Sequence, residues 1–479
     1  MVLYKQGNLS LAERTLLEGI KVYESLRGRE LKDSEKVSIF ETQRGIYDNL
    51  QKVLIAQNKT DTALEIAERG RGRAFVELLA SRLSPDTKAQ LPTPPTIAEI
   101  KQIAKAQNAT LIQYSITHDN FKIQGKSQTK ESELYIWVIK PTGEVTFRQA
   151  DLKSLWQKEN TTLAELVTTS RQSIGVRGRG IVVSEDPDAA KAKQKFRRLH
   201  ELLIEPIADL LPSNENERVI FVPQGELFLV PFPALQDEKG KYLIEKYTIL
   251  TAPSIQVLDL TRQQRLRNEK SEVEKGEVLV VGNPTMPKVV LEPGKPAQQL
   301  SNLKWAEKEA KHIAALFQTQ ALTGNQATKA ATVQQMTQAR IIHLATHGLF
   351  DDLRGLGSAI ALAPSGQDNG LLTAEDIFNM TLNADLVVLS ACDTGRGRVT
   401  GDGVIGLSRS LISAGVPSVI VSLWAVDDNS TSVLMTDFYQ NLQKNVDKAT
   451  ALRNAMLNTM KTHPDPKYWA AFTLIGESE

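Results

Sequence analysis

The spacing of apolar residues changes character three times along the chain. Over residues 1–83 they recur at helical intervals, in Leu9, Leu11, Leu16, Leu17 and Ile20, then in Ile46, Leu50, Val53 and Leu54. Side chains three and four apart share one face of a helix, so this stretch reads as all-helical. Between residues 97 and 274 the periods mix. A short helix near Ile97–Ala106 leads into strand-like runs at Thr110–Ser115, Glu133–Lys140 and Glu144–Arg148. A helix at Lys193–Leu210 and strands at Val219–Pro223 and Tyr247–Leu250 follow. From residue 278 short apolar runs alternate with amphipathic ones. Strands are expected at Val278–Val281, Ile341–Ala345, Ala359–Leu362, Leu386–Ser390, Ser418–Leu423 and Ala471–Leu474. Helices are expected at Ala306–Phe317, Thr332–Gln338, Ala374–Asn379, Val404–Ala414, Ser430–Leu442 and Lys448–Thr462. Such alternation predicts a mostly parallel sheet covered by helices on both faces.

Breaker residues divide the chain. A proline-rich stretch from Pro85 to Pro95 reads as a linker. The expected organisation is a helical segment at 1–83, the linker at 84–96, a supporting half-domain at 97–274 and a chemistry-bearing half-domain at 275–479. Arg171–Asp188 is a polar, Gly- and Arg-rich loop, and Pro293–Pro296 and Asp351–Leu356 are expected loops around the site. Within the helical segment, Tyr4 to Asn8 with Ala12 and Gly19 resembles the middle of a tetratricopeptide repeat, where small residues let paired helices approach. A second match runs from Gln57 to Asp61 into Ala63, Ala67 and Gly70. The separation of the two copies exceeds the about 34 residues of a perfect repeat, so one helix between them is longer than standard. The first match begins part-way through a repeat, so the chain is expected to start inside a longer helical array.

Composition narrows the function classes. The 57 Lys+Arg residues against 56 Asp+Glu give no global pull towards nucleic acid or anionic lipid. No apolar run approaches the roughly 20 residues that span a bilayer, and the first residues lack the apolar core of a secretory signal. One cysteine, Cys392, leaves no internal disulfide framework and fits a reducing compartment, so the cytoplasm is the expected location.

The setting of that cysteine carries chemistry. The apolar run Leu386–Leu389 passes through Ser390 and Ala391 into Cys392-Asp393-Thr394-Gly395, and Ile341–Ala345 ends similarly in Thr346-His347-Gly348. Residues just past the carboxyl ends of neighbouring parallel strands converge on one crevice. A thiol and an imidazole meeting there form a cysteine nucleophile with its base, and the imidazole favours the thiolate. Cys392 and His347 are therefore the candidate catalytic pair. The backbone N–H groups of Cys392 and Gly348 are the candidate oxyanion donors. His343, inside its strand, reads as a core histidine. Asp427 and Asp428 follow the strand Ser418–Trp424; they read either as caps for the next helix or as carboxylates binding a basic substrate side chain. Asp393 and Asp402 are weaker candidates for that role, and Trp424 reads as packing.

Two other uses of these residues compete. His343, His347 and Cys392 could ligate zinc, but no second cysteine or paired spacing accompanies them. Gly401-Asp402-Gly403-Val404-Ile405-Gly406 matches a dinucleotide fingerprint with Asp427 downstream, yet the preceding strand ends at Ser390, too early for the tight strand-to-helix turn. No metal or cofactor is expected.

Together these residues resemble the CHAT-domain family, caspase- and separase-like proteins associated with tetratricopeptide repeats. The resemblance rests on His343-Leu-Ala-Thr-His347-Gly348, Ser390-Ala-Cys392-Asp-Thr-Gly395 and Ser422-Leu-Trp424-Ala-Val-Asp427-Asp428. Ala63–Leu79, with Glu68-Arg69-Gly70-Arg71-Gly72-Arg73, and Val222-Pro223-Gln224-Gly225 to Pro231-Phe232 extend it. It implies a caspase-like α/β sandwich with a mostly parallel sheet, preceded by the tetratricopeptide-like helical segment, and a cysteine endopeptidase with His347 and Cys392 as its dyad. It also implies an inactive companion half-domain and helices that recruit protein partners or regulate access. Asp428 falls where separases carry the acidic residue that binds a basic side chain before the cleaved bond. Metacaspases instead place an aspartate two residues before the cysteine, where this chain has Ser390. The expected partners are thus a protein or peptide substrate and a protein bound by the repeats, with no nucleic acid or membrane. The alternative is a catalytically silent scaffold for protein–protein interaction.

Overall fold

A computed structural model describes residues 2–27, 33–83, 92–123, 126–174, 189–214, 217–270, 277–290, 294–349, 357–391, 398–400 and 403–479. Cys392, Asp393 and Asp402 lie outside the described residues, as do most of the expected linker, the Arg171–Asp188 loop beyond Ile174, and the Asp351–Leu356 loop.

The amino-terminal part is helical: α1 (Leu9–Arg27), α2 (Asp33–Ala56), α3 (Thr60–Arg69) and α4 (Arg73–Leu83). Two glycines set its helix spacing. A Cβ on Gly19 would lie 2.6 Å from Ile46 Cδ1, and one on Gly70 2.7 Å from the Tyr47 ring. Both are closer than carbon atoms pack, so the small residues are what let α1 and α3 approach α2. Helix α5 (Ile97–Gln107) follows, started by a capping box of Thr96 and Glu99 and ended by Asn108 in the left-handed region.

Among the described residues, eleven strands form one sheet. In chain order they are β1 (Ala109–Ile123), β2 (Lys126–Ile139), β3 (Val145–Asp151), β4 (Arg218–Val222), β5 (Thr248–Thr251) and β6 (Val278–Pro284). Then come β7 (Leu322–Gly324), β8 (Ile341–Ala345), β9 (Leu386–Ser390), β10 (Ser418–Ser422) and β11 (Phe472–Gly476). Their order across the sheet is β3-β2-β1-β4-β5-β11-β10-β9-β8-β6-β7. Strands β1, β4, β5 and β11 run parallel, and so do β10, β9, β8, β6 and β7. The two blocks meet at the antiparallel pair β10–β11, so their carboxyl edges lie at opposite ends of the sheet.

Helices cover both faces, as the alternation requires. The remaining ones named here are α6 (Leu163–Ser173), α7 (Ala189–Leu203), α8 (Ile255–Lys270), α9 (Lys304–Leu316), α10 (Leu407–Ser413), α11 (Asp428–Leu442) and α12 (Lys448–Thr462). On one face Val280, Leu386, Val388 and Ile420 pack with Ala310 and Ile313 of α9 and with Leu434 and Phe438 of α11. On the other, Leu279, Ile342, Val387 and Val419 pack with Leu411 of α10, Val257 of α8, and Phe75 and Val76 of α4. The last helix of the amino-terminal segment is thus part of the second core. Arginines tie the parts together through backbone carbonyls. Arg82 donates to the carbonyls of Phe378, Met380 (3.1 Å) and Ser413, Arg171 to that of Leu423, and Arg71 to those of Tyr114 and Pro223.

Several elements depart from the periodicity. Strands β1 and β2 are 15 and 14 residues long, well beyond their apolar runs. They pair antiparallel out to Ile123 and Lys126, so backbone hydrogen bonding carries the strand through His118, Asp119 and Asn120, whose polar side chains mask it. The expected helix from Val404 begins only at Leu407, because Gly403–Ile405 pairs with Arg398–Thr400 as a hairpin.

Candidate active site

Strands β8 and β9 are adjacent and parallel, with Ala345 paired to Ser390 and, on the other side, to Gly282 of β6. His347 lies two residues past Ala345. Ala391, the last described residue before Cys392, is buried, and its carbonyl accepts from the Ser422 hydroxyl. A small three-stranded sheet, 348–349, 359–361 and 371–373, caps this edge. It fixes the backbone around His347: the Thr346 hydroxyl donates to the Ala361 carbonyl (2.7 Å), and the Ala361 N–H to the His347 carbonyl (2.9 Å). With that bond flanking it, the pair Gly348–Ile360 is the non-hydrogen-bonded kind, so the Gly348 N–H is directed away from the 359–361 strand.

His347 itself is 3% exposed. Its Nε2 lies 2.8 Å from the carbonyl oxygen of Ser301. A carbonyl only accepts, so Nε2 carries the proton and, in the neutral ring, Nδ1 is the basic nitrogen. Burial pushes the imidazole below the usual histidine value, while the Ser301 carbonyl pulls the other way. Near neutrality the ring is therefore a neutral, oriented base.

Ser301 was not readable as part of the site, because its short contact with the ring is made by its backbone carbonyl, its hydroxyl lying farther off at 3.5 Å from Nε2. It stands in an exposed segment leading into α9, whose N-cap position, Leu303, makes no side-chain cap. The cap is supplied by other elements. Asn283, at the end of β6 with φ of 45°, accepts the Leu303 N–H at its Oδ1 (2.8 Å) and donates from Nδ2 to Glu307 (3.1 Å). Asp428, in the first turn of α11, accepts the Trp305 N–H (2.9 Å). The Gly282-Asn283-Pro284 turn after an apolar run is the one sequence signal for Asn283.

Asp428 is half-buried. Burial pushes its carboxyl above the ordinary carboxylate range, the Trp305 N–H opposes this, and Glu309 adds to it. Asp427 is exposed and caps α11, accepting the Ser430 N–H (2.9 Å). The exposed Trp305 ring carries the Lys308 ammonium 3.8 Å from its centroid.

His343 is a core residue. It is fully buried, with Nε2 2.8 Å from Glu309 and Nδ1 3.2 Å from the Tyr439 hydroxyl, so both ring nitrogens are engaged away from a metal. Trp424 is buried and donates to the Lys467 carbonyl (3.1 Å). Of the described residues of the glycine-rich run, Gly403–Ile405 pairs with Arg398–Thr400 as a hairpin, and the helix begins only at Leu407.

The CHAT domain matches residues 193–477, more than half the chain, and the protein belongs to the CHAT-domain family. Tetratricopeptide repeat protein 28 of Mus musculus is 26% identical over 99% of this chain, and its Homo sapiens counterpart is 26% identical over the same share. This chain spans about a quarter of their length, 24% in each case. Among solved structures, the separase–securin complex of Saccharomyces cerevisiae aligns with a TM-score of 0.49 at 10% identity, covering 98% of this chain and 40% of that one. The Arg-specific cysteine proteinase gingipain R aligns with a TM-score of 0.38 at 11% identity, covering 68% and 75%. None of the described helices is long and apolar enough to cross a membrane.

Proposed function

We propose that the chain is a cysteine endopeptidase in which Cys392 is the nucleophile and His347 its base. The observation that supports this most is the register of β8 and β9. It aligns Ala345 with Ser390, and in the sequence His347 and Cys392 each follow these paired residues by two positions. The buried, Nε2-protonated imidazole agrees with the role.

In this reading the sulfur of Cys392 attacks the peptide carbonyl carbon as its proton passes to Nδ1 of His347. The N–H groups of Cys392 and Gly348 hold the resulting oxyanion, each donor worth about 3 kcal/mol. The tetrahedral intermediate collapses to a thioester, and the imidazolium delivers its proton to the departing amine. Water, deprotonated by the same imidazole, then cleaves the carbon–sulfur bond, releasing the carboxylic acid and restoring the thiol. Asp428, with Asp427 beside it, supplies negative charge for a lysine or arginine side chain before the cleaved bond. The half-domain 97–274 supports the active one at 275–479, the helices 1–83 recruit a protein partner, and the protein works in the cytoplasm.

The test is a thiol-reactive peptide probe ending in arginine. It labels the wild type but neither Cys392→Ala nor His347→Ala. Equal labelling of the His347→Ala protein sinks the dyad; no labelling of any form leaves the scaffold reading in its place.

A further inference from the structure

We propose that Asn283 and Asp428 are positioning residues for His347, jointly holding the Ser301–Trp305 segment so that the Ser301 carbonyl meets the imidazole. This rests on the reading of His347 and Cys392 as a dyad, and it gives Asp428 a task besides charge for the substrate.

The Ser301 carbonyl is the described hydrogen-bond acceptor that sets the tautomer of His347, yet Ser301 and Asn302 are both exposed. An exposed segment samples many backbone conformations unless its N–H groups are fixed. Here the fixing comes from one strand and one helix start at the sheet edge. Asn283, at the end of β6, holds Leu303, two residues beyond the carbonyl; Asp428, opening α11 after β10, holds Trp305, two residues further on. These anchors stand in for the side-chain cap that α9 lacks. Strands β6 and β10 flank the pair β8–β9, so the anchors bracket the proposed dyad from both sides.

If either anchor is lost, the Ser301 carbonyl drifts and the Nε2–H of a buried ring loses its acceptor. The ring then has less reason to keep its proton on Nε2, and Nδ1 becomes a poorer partner for the thiol. The thiol must titrate closer to an isolated cysteine, near 8.5. Loss of a carboxylate that acted by charge alone would instead favour the thiolate and move the midpoint down.

Cys392 is the only cysteine, so the pH dependence of alkylation by iodoacetamide on the full chain reads that thiol alone. Asn283→Ala and Asp428→Ala are expected to raise its midpoint by about 0.5–1 pH unit, and to slow alkylation at pH 7 roughly 3- to 10-fold. Asp428→Asn keeps an oxygen for the Trp305 N–H and is expected to titrate as wild type. His347→Ala sets the upper limit. Wild-type titration of both alanine variants, with His347→Ala shifted, overturns the positioning role and leaves the dyad standing. A shift in Asp428→Asn equal to that of Asp428→Ala also overturns it, since charge rather than hydrogen bonding then governs. An unshifted His347→Ala removes the dyad itself. Should an alanine variant fail to fold, the serine variant at the same position, too short to reach its N–H, decides by the same readout.

Discussion

At the scale of the residue, the burial of His347 has a measurable consequence. Its folded-state pKa is depressed, so the unfolded chain binds a proton more readily. The contribution is therefore intact above the unfolded value near 6.5, and is lost as pH falls from there through the lower folded value. Thermal melts of wild type and His347→Gln between pH 5 and pH 7.5 check this: the wild type is expected to lose more stability on the acid side. If the two slopes match, the ring is not held neutral. The candidate site was legible only where a distinctive residue type closes a buried strand. His347, Cys392 and Gly348 stand out because they follow apolar runs. The Ser301 carbonyl did not, because any residue carries one. Asp428 presented a carboxylate, but its bond to the Trp305 N–H depends on two elements more than a hundred residues apart.

At the scale of the element, Gly282 shows how the sheet admits α9. A Cβ at this position would lie 2.3 Å from Ala310 Cβ and 2.5 Å from the Ala306 carbonyl oxygen. The helix can ride close to β6, next to Asn283, only because that Cβ is missing. Gly282→Ala is expected to cost about 1–3 kcal/mol through overpacking, read from denaturant midpoints. Adding Ala310→Gly should return part of the loss, and a strictly additive double variant would show that the two sites do not press on each other. Strands such as Ile341–Ala345 and Leu386–Ser390 were fully legible, because buried parallel strands are continuous apolar runs. Short edge elements were not: β7 is three residues of Leu-Thr-Gly, and its pairing to β6 comes from position rather than composition. Helix α8 likewise escapes the pattern, since Arg262–Lys270 is almost wholly polar and only its first turns are apolar.

At the scale of the whole molecule, one sheet joins residues on both sides of position 275. Strand β11, near the carboxyl end, is seated between β5 and β10. Residues 275–479 alone would leave the β11 edge unpaired and strip the shared cores. That fragment is expected to bind a hydrophobic dye and melt without a cooperative transition, whereas the full chain shows one. The amino-terminal helices are bound in as firmly. Arg82 ends α4 with three carbonyl acceptors and the Phe378 ring 5.2 Å from its guanidinium. Arg82→Ala is expected to cost about 2–4 kcal/mol, and Arg82→Lys to restore little, because a lone ammonium cannot match the planar fork. A melting temperature unchanged in Arg82→Ala would show that the helical segment is only loosely attached.

The reversal of strand direction between β10 and β11 turns the carboxyl edges of the two parallel blocks towards opposite poles. One is the edge of β8 and β9. The other lies past β4, and there the guanidinium of Arg71, 2% exposed, is already lodged against the carbonyls of Tyr114 and Pro223. A guest at that pole would have to evict a desolvated cation and orphan the oxygens it serves. The turn between α3 and α4 thus plugs the β1–β4 part of one pole with a buried cation of its own.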